Sequence, residues 1–504
     1  MKASLTKPLL VLLMGVLLEG PQAGLTNDAQ SVVSNDTFNI YFPIVTNACN
    51  PGAPRSPSQV PYYRLRIELS TTSDWTELDF NDSTNILSLR LMAQVINPQP
   101  AELIQTQDGN ILKLYQPPVQ SDLQNISMTV DAAVTPTALD QPLALTIRKG
   151  VWNTTTVRIS SVMGGQATLL QETSFTDEVQ LFLVDLSSLK STAPTVELIA
   201  RYCPELWAFY YAWYLPIFNW MWWTNPKWTD LPLVRYASDD PTAIARQIDQ
   251  AQSAGIDGFV YAWLGKDDWS SIPIDNNLKP FLDIAGAKHF SVAIYFGLID
   301  PNLPHNVDDI YNALAYIIPT YGNHPAYKKV NGKPLIVIYQ SGQINVDIWK
   351  SILARLHSQG LEASLWGMGY DLSNIEVFDG THEYLPFNYP NLSRTYTWFG
   401  KAALNYSLLA DSPTRKMWAA IVYPGSDNTP LVRELGIDLV YVPRDNGNTY
   451  RSSFEAALQS NADMIFLTSW NEYQENTQIE PSEMYGNQYF QITLEYAKKW
   501  KQKP

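Results

Sequence analysis

Glu472 and Glu475 stand three residues apart, just beyond the apolar run Met464 to Trp470. In a turn or at a helix start, side chains spaced i and i+3 share a face. Two carboxyls held there repel, and the pKa of one rises, which prepares one as an acid and leaves the other as a base. Hydrolysis of a glycosidic bond uses such a pair. Carboxylates near a helix N-terminus can also serve only to cap it. The surrounding residue types favour the chemical use. Aromatic side chains recur at the ends of successive apolar runs: Tyr210, Tyr211, Trp213 and Tyr214, then Trp263, Tyr295, Tyr339, Tyr370, Tyr384, Tyr423, and Trp470 beside Asn471. Together they would make a cup lined with flat apolar faces, suited to sugar rings.

Such a cup needs a scaffold that brings many chain ends to one place. From about Arg201, strand-like runs alternate with helix-length amphipathic segments. The expected strands are Trp207 to Tyr214, Gly258 to Trp263, Val292 to Phe296, Leu335 to Tyr339, Leu365 to Tyr370, Val377 to Tyr384, Met417 to Tyr423 and Met464 to Trp470. Helices are expected at Thr242 to Ala254, Leu278 to Lys288, Val307 to Tyr321, Asp347 to Gln359 and Tyr450 to Gln459. Eight such repeats predict a (β/α)8 TIM barrel over residues 200–504, with its active site at the C-terminal strand ends. An open doubly wound sheet would call for a Gly-rich phosphate loop after the first strand, and none is present.

Ahead of the barrel, residues 63–199 carry short strand-like runs separated by turn residues and no helix-length pattern. This predicts an accessory β-sandwich. Residues 25–62 read as leader and linker, rich in Asn, Ser, Thr and Pro. At the N-terminus, Lys2 and Lys7 precede the apolar run Leu9 to Leu18 and a small-residue stretch, the pattern of a secretory signal over residues 1–24. That run is too short to span a membrane, so a secreted or cell-surface protein without a stable span is expected.

With 49 acidic and 34 basic side chains, the 504-residue chain has a formal charge of −15. It lacks the basic surface that nucleic acids require. No His or Cys spacing reads as a metal site, and no cofactor is expected. Cys49 and Cys203 are the only cysteines; in an oxidising compartment they could pair, and two unpaired thiols are the alternative.

The segment Ser469-Trp470-Asn471-Glu472-Tyr473-Gln474-Glu475-Asn476-Thr477-Gln478-Ile479-Glu480 resembles the signature of glycoside hydrolase family 99, the endo-α-mannosidase family. Supporting similarities run in order: Phe209 to Tyr214, Tyr236 to Pro241, Ala254 to Gly258, Tyr321 to Tyr327, Phe378 to Gly380, Tyr423 to Gly425 and Gly447 to Tyr450. The resemblance implies a secreted, retaining, endo-acting α-glycosidase acting on a carbohydrate such as an α-mannan. It implies Glu472 as the base on the substrate's own 2-hydroxyl and Glu475 as the acid/base. It adds Tyr450 to the candidate sugar-binding side chains. Some positions differ from the family pattern. Tyr473, Gln474 and Asn476 stand where Trp, His and Gly are usual, the loop Leu215 to Trp228 lacks the family's His-Trp pair, and Gly297 replaces an acid for which Asp300 is the nearest substitute. Family 71 α-1,3-glucanases share a similar Trp-Asn motif, so an α-1,3-glucanase remains an alternative. A catalytically silent carbohydrate-binding protein is another.

Overall fold

The computed structural model of the chain describes residues 58–502, apart from the short segments 82–84, 96–101, 106–110, 116–124, 151–152, 200–202, 219–221, 267–273, 298–306, 371, 387–388, 390, 405–407, 410–415 and 437–438. The signal segment, Cys49, Trp220, Asp300 and Asp371 therefore lie outside the described residues.

Two antiparallel sheets come first. One has the strand order β3 (Ile86–Val95), β6 (Ile126–Val134), β1 (Ser58–Thr71), β8 (Thr155–Met163), β9 (Gln166–Phe175), with β11 (Thr195–Ile199) also paired to β1. The other runs β10 (Val179–Val184), β7 (Leu143–Lys149), β2 (Trp75–Phe80), β5 (Ile111–Tyr115), β4 (Glu102–Gln105). Alternate side chains meet between them as a sandwich core: Leu65, Ile67 and Leu69 with Met128 and Val130 from one sheet, and Leu78, Phe80, Leu145 and Ile147 from the other. Sequence periodicity marks Tyr63 to Leu69, Ile86 to Val95, Ile111 to Tyr115, Ile126 to Val130, Leu143 to Ile147, Thr155 to Ile159, Val179 to Val184 and Thr195 to Ile199, and so misses β2, β4 and β9. β9 is mostly exposed and so carries no apolar alternation. The first strand also starts within the stretch read as linker, because Ser58 to Tyr62 pair with Ile199 to Thr195.

The outer face of the first sheet is polar but not solvated. Asp131 is fully buried and accepts from Arg64 and Arg66 at 2.7 and 2.8 Å. Tyr62 and Ala133, on the same face, pack against Leu408 and Leu409 of the second half.

That half is a closed barrel of eight parallel strands: β12 (Glu205–Tyr210), β13 (Gly258–Trp263), β14 (Ser291–Gly297), β16 (Lys333–Tyr339), β17 (Ser364–Met368), β18 (Gly380–His382), β19 (Met417–Val422) and β22 (Met464–Leu467). Closure is made by β22 pairing with β12, and the break in numbering at β15 (Lys329–Val330) is a short hairpin partner of β16. A second small ladder, β20 (Ser426–Asp427) with β21 (Tyr441–Val442), sits in the loops above β19. Helices α1 (Pro241–Ser253), α2 (Ile274–Ala287), α3 (Val307–Tyr321), α4 (Val346–Ser358), α5 (Leu372–Val377), α6 (Leu392–Leu404), α7 (Thr429–Leu435), α8 (Asn448–Gln459) and α9 (Gln488–Lys501) follow among the described residues. The expected start of α1 holds in detail: Asp240 caps it by accepting from the Thr242 amide at 2.9 Å, with Pro241 as the first helical residue. One expected strand is corrected. Val377 closes a helix rather than opening a strand, and only Gly380–His382 pair in the barrel.

The barrel interior is filled by rings. Phe209 meets Phe466 at 5.8 Å and His382 at 6.2 Å between centroids, and Trp366 stacks on Phe466 at 5.7 Å. Full burial lowers the His382 pKa to about 4, so at neutral pH it is an uncharged core residue. The sandwich leans on the barrel through β3, which packs against α5 and α6.

Candidate functional site

The strand-eight segment leaves β22 and folds back on itself above the barrel. The peptide between Thr468 and Ser469 is cis. The Ser469 amide donates to the Thr477 carbonyl at 2.9 Å, and the Ser469 hydroxyl both accepts from the Glu472 amide at 2.8 Å and bonds the Thr477 hydroxyl at 2.9 Å. The turn needs a left-handed residue, and Asn476 supplies it with φ of 54°. Asparagine tolerates that region, so this departure from the family's glycine fits the backbone. Arg444 braces the loop from beneath. It donates to the Asn476 and Gln478 carbonyls, both at 2.8 Å, and lies over the rings of Tyr485 and Tyr489 at 4.2 and 4.3 Å. Gly425 allows this approach: its φ is +140°, and a Cβ there would come within 2.7 Å of the Arg444 side chain.

Both glutamates are buried, Glu472 fully and Glu475 nearly so. Burial lifts the Glu475 pKa to about 7, against the opposing pull of the Tyr384 hydroxyl, which donates to it at 2.8 Å. Tyr384 is itself held by the Tyr211 hydroxyl at 2.6 Å. Burial, and then the charge of Glu475, hold Glu472 well above the ordinary carboxylate range. One Glu472 oxygen accepts from the Gln474 amide at 2.9 Å; the other, Oε2, has no partner. Such a pair retains a proton near neutral pH and offers one free carboxyl oxygen.

Asn471 locks this segment to the first strand. It exchanges two bonds with the Tyr211 backbone, each 2.8 Å, and donates to the Tyr236 hydroxyl at 3.1 Å. Tyr214 donates to the Asn471 carbonyl at 2.7 Å and stacks on Trp223 at 4.2 Å. Beyond Asn471 lies a third buried carboxyl. Glu480 accepts from Tyr236 (3.1 Å), Tyr473 (3.3 Å) and Gln247 (2.9 Å), and burial raises its pKa to about 7.

The sequence-predicted residues therefore divide. Tyr211, Trp213, Tyr214, Tyr295, Tyr339, Tyr384 and Asn471 gather around the two glutamates. Tyr295 contacts Tyr339 and Tyr384 at 5.5 and 6.0 Å, and its hydroxyl is unpartnered. Tyr210, Trp263, Trp470 and Tyr450 do not join them. Tyr210 stacks on Phe259 in the layer between strands and helices, with its hydroxyl on Gln247 at 2.8 Å. Trp470 also packs on Phe259, at 5.5 Å. Trp263 donates to the buried Asp275 at 2.7 Å, and Tyr450 bonds Thr493 at 2.9 Å between α8 and α9. Tyr210 faces away because consecutive strand residues face opposite sides, whereas Tyr450 lies on α8 and Trp470 beyond the end of β22.

Sequence reasoning assigned no role to Ser469, Tyr236, Gln247 or Glu480. Gln247 did carry a signal: it sits among the buried α1 residues Ala243, Ile244, Ile248 and Ala251, the one polar member of an apolar stripe. The tryptophans of the loop after β12 support the site from outside. Trp223 is buried against Tyr473 at 5.3 Å and donates to the Tyr236 carbonyl at 2.6 Å. Among the described residues, no group of three or more His, Cys, Asp or Glu is placed to hold a metal ion, and no helix is long and apolar enough to cross a membrane.

The chain is 28% identical over 297 residues to the glycoprotein endo-alpha-1,2-mannosidase of Mus musculus, covering 53% of this chain and 62% of that protein. It is 28% identical over 267 residues to a glycoprotein endo-alpha-1,2-mannosidase-like protein of the same species, covering 49% and 56%. It thus spans less than two thirds of either relative. Among solved structures it is similar to a family 99 endo-alpha-mannosidase from Bacteroides thetaiotaomicron, with 24% identity, a TM-score of 0.48 and coverage of 59% of this chain and 97% of that one. The sequence model of glycosyl hydrolase family 99 matches residues 230–499, more than half of the chain and the whole strand-eight segment. The chain belongs to glycosyl hydrolase family 99.

Proposed function

We propose that the chain is an exported, retaining, endo-acting α-glycosidase of the endo-α-mannosidase type. The observation that carries this reading is the buried pair: Glu475 gripped by Tyr384, beside Glu472 with one free oxygen, inside a cup of tyrosines. In the first step, Glu472 takes the proton of the substrate's 2-hydroxyl as that oxygen bonds to the anomeric carbon. The glycosidic bond breaks, and Glu475 gives its proton to the departing oxygen. In the second step, Glu475 takes a proton from water, and the water oxygen bonds to the anomeric carbon. The three-membered ring opens, and Glu472 returns its proton to the 2-oxygen. Two inversions give net retention. The route is one of the substrate-assisted variants of two-carboxylate hydrolysis. It requires a pair that shares a proton near neutrality, in line with the raised Glu475 pKa. Export is supported by the basic-then-apolar N-terminus.

The test is reducing-end release from soluble α-mannans and α-glucans, with wild type beside Glu472→Gln and Glu475→Gln. Release from α-mannan that drops at least 1,000-fold in both variants is expected, on the order of what a general acid or base contributes. Release from α-1,3-glucan would keep the pair and move the specificity. Release that persists in either variant would overturn the assignment of that glutamate.

A further inference from the structure

A groove of about 780 Å3 runs along the length of α8, from Asn448 to Gln459, against the N-terminal end of α6, where Ser393 donates to Gln459 at 2.8 Å. Its volume lies within the range of small-molecule sites. Tyr389 and Tyr423 form its inner end, and Asn448, Ser452 and Gln459 are exposed polar groups along it. The inner end adjoins the catalytic cup. The Tyr389 hydroxyl donates to Glu383 at 3.1 Å, and Glu383 precedes Tyr384, the phenol that donates to Glu475. Tyr423 follows β19 directly, and β19 pairs with β22, which feeds the glutamate loop.

The lining selects the kind of ligand. Arg451 is already paired with Glu495 at 2.7 Å, and the other charged groups along the groove are Asp445 and Glu455. An anionic ligand would meet net negative charge, both here and on a chain of −15. Amide and hydroxyl groups offer donors and acceptors to adjacent sugar hydroxyls, and tyrosine rings offer flat faces to pyranose rings. We propose that this groove is a second carbohydrate site, which holds a neutral arm of the same glycan whose bond lies at Glu472 and Glu475. The proposal rests on the glycosidase reading for the identity of the ligand, but its binding test does not depend on turnover. With both sites filled, the second would raise the effective concentration of substrate at the first.

The test uses the full chain carrying Glu475→Gln and α-mannotriose as the probe, titrated calorimetrically. Two binding sites are expected. Ser452→Trp, which fills the groove, should leave one. In the turnover-competent background, Ser452→Trp should lower about tenfold the ratio of kcat/KM for polymeric mannan to that for a mannobiosyl substrate. The double truncation Asn448→Ala with Gln459→Ala, at two exposed positions, should lower the same ratio in the same direction. One binding site before any groove substitution, or an unchanged ratio in both groove variants, would overturn the proposal while leaving the glycosidase reading intact. Two sites in a protein that cleaves no α-glycan would keep the groove and sink the glycosidase reading.

Discussion

Tyr384 sits where a single hydroxyl can set the working pH. Its bond to Glu475 favours the ionised carboxylate and opposes the larger effect of burial. Tyr384→Phe removes that bond, so the Glu475 pKa should rise above about 7 and the alkaline limb of kcat/KM should move up by up to about one pH unit. An unmoved limb would show that another group sets it. Glu480 makes a different pH statement, about stability. Its folded pKa of about 7 exceeds the ordinary 4.5, so the folded state binds its proton more tightly than the unfolded state does. Stability from this group is full below about pH 4.5 and is lost as pH rises through 7, a change of about 3 kcal/mol. Glu480→Gln has no such proton to lose, so the fall in Tm between pH 5 and pH 8 should be smaller in the variant than in wild type. Spacing alone left the two glutamates open between a catalytic pair and helix capping, and the aromatic strand ends and the family resemblance added weight to the pair. The facing of their aromatic neighbours was not legible. In Phe209-Tyr210-Tyr211-Ala212-Trp213-Tyr214 nearly every position is aromatic, so composition hides which residues point inward, and only the strand register separates Tyr211 from Tyr210.

At the scale of the element, the glutamates are held by a loop that makes most of its bonds to itself and to two outside braces. Asn471 pins one side to β12, and Arg444 pins the other from the segment before α8. Arg444→Ala would leave two buried carbonyls without their donor and two tyrosine rings without their cation. A loss of about 3 kcal/mol is expected, read as a lower Tm, together with a larger fall in kcat than in any exposed arginine variant such as Arg433→Ala. Unaltered kcat would mean that the loop holds its shape without the brace. Most barrel strands could be read from their apolar runs, because strands covered on both faces are nearly continuous in Val, Ile, Phe and Ala. The sixth could be placed within Val377 to Tyr384, but its start could not. Its three paired residues are separated by two residues from the end of a helix, where Phe378 is buried and Val377 half-buried, and the apolar pair extends the strand pattern back into the helix.

Across the whole molecule, the sandwich and the barrel share a face rather than a tether. Asp131 accepts from two arginines on the sheet side that carries Tyr62 and Ala133 against Leu408 and Leu409. Sequence patterning indicated a sandwich but gave no hint of this. Arg64 and Arg66 alternate with buried residues and read as an ordinary solvated strand face. Asp131→Ala would take from two partly covered cations the carboxylate they share, at a cost of roughly 2–4 kcal/mol. The barrel's melting temperature should fall along with the sandwich's if the shared face couples them. Two separate transitions, with only the first one shifted, would show that they melt independently.

The crowding of phenols around the glutamates has an optical consequence. Burial drives the pKa values of Tyr211, Tyr214, Tyr295 and Tyr384 far above 10. Raising the pH of the folded protein should therefore leave these rings un-ionised and silent in the tyrosinate absorbance band. Their absorbance should arrive all at once when the fold gives way, so ultraviolet colour alone would report the moment at which the cup opens.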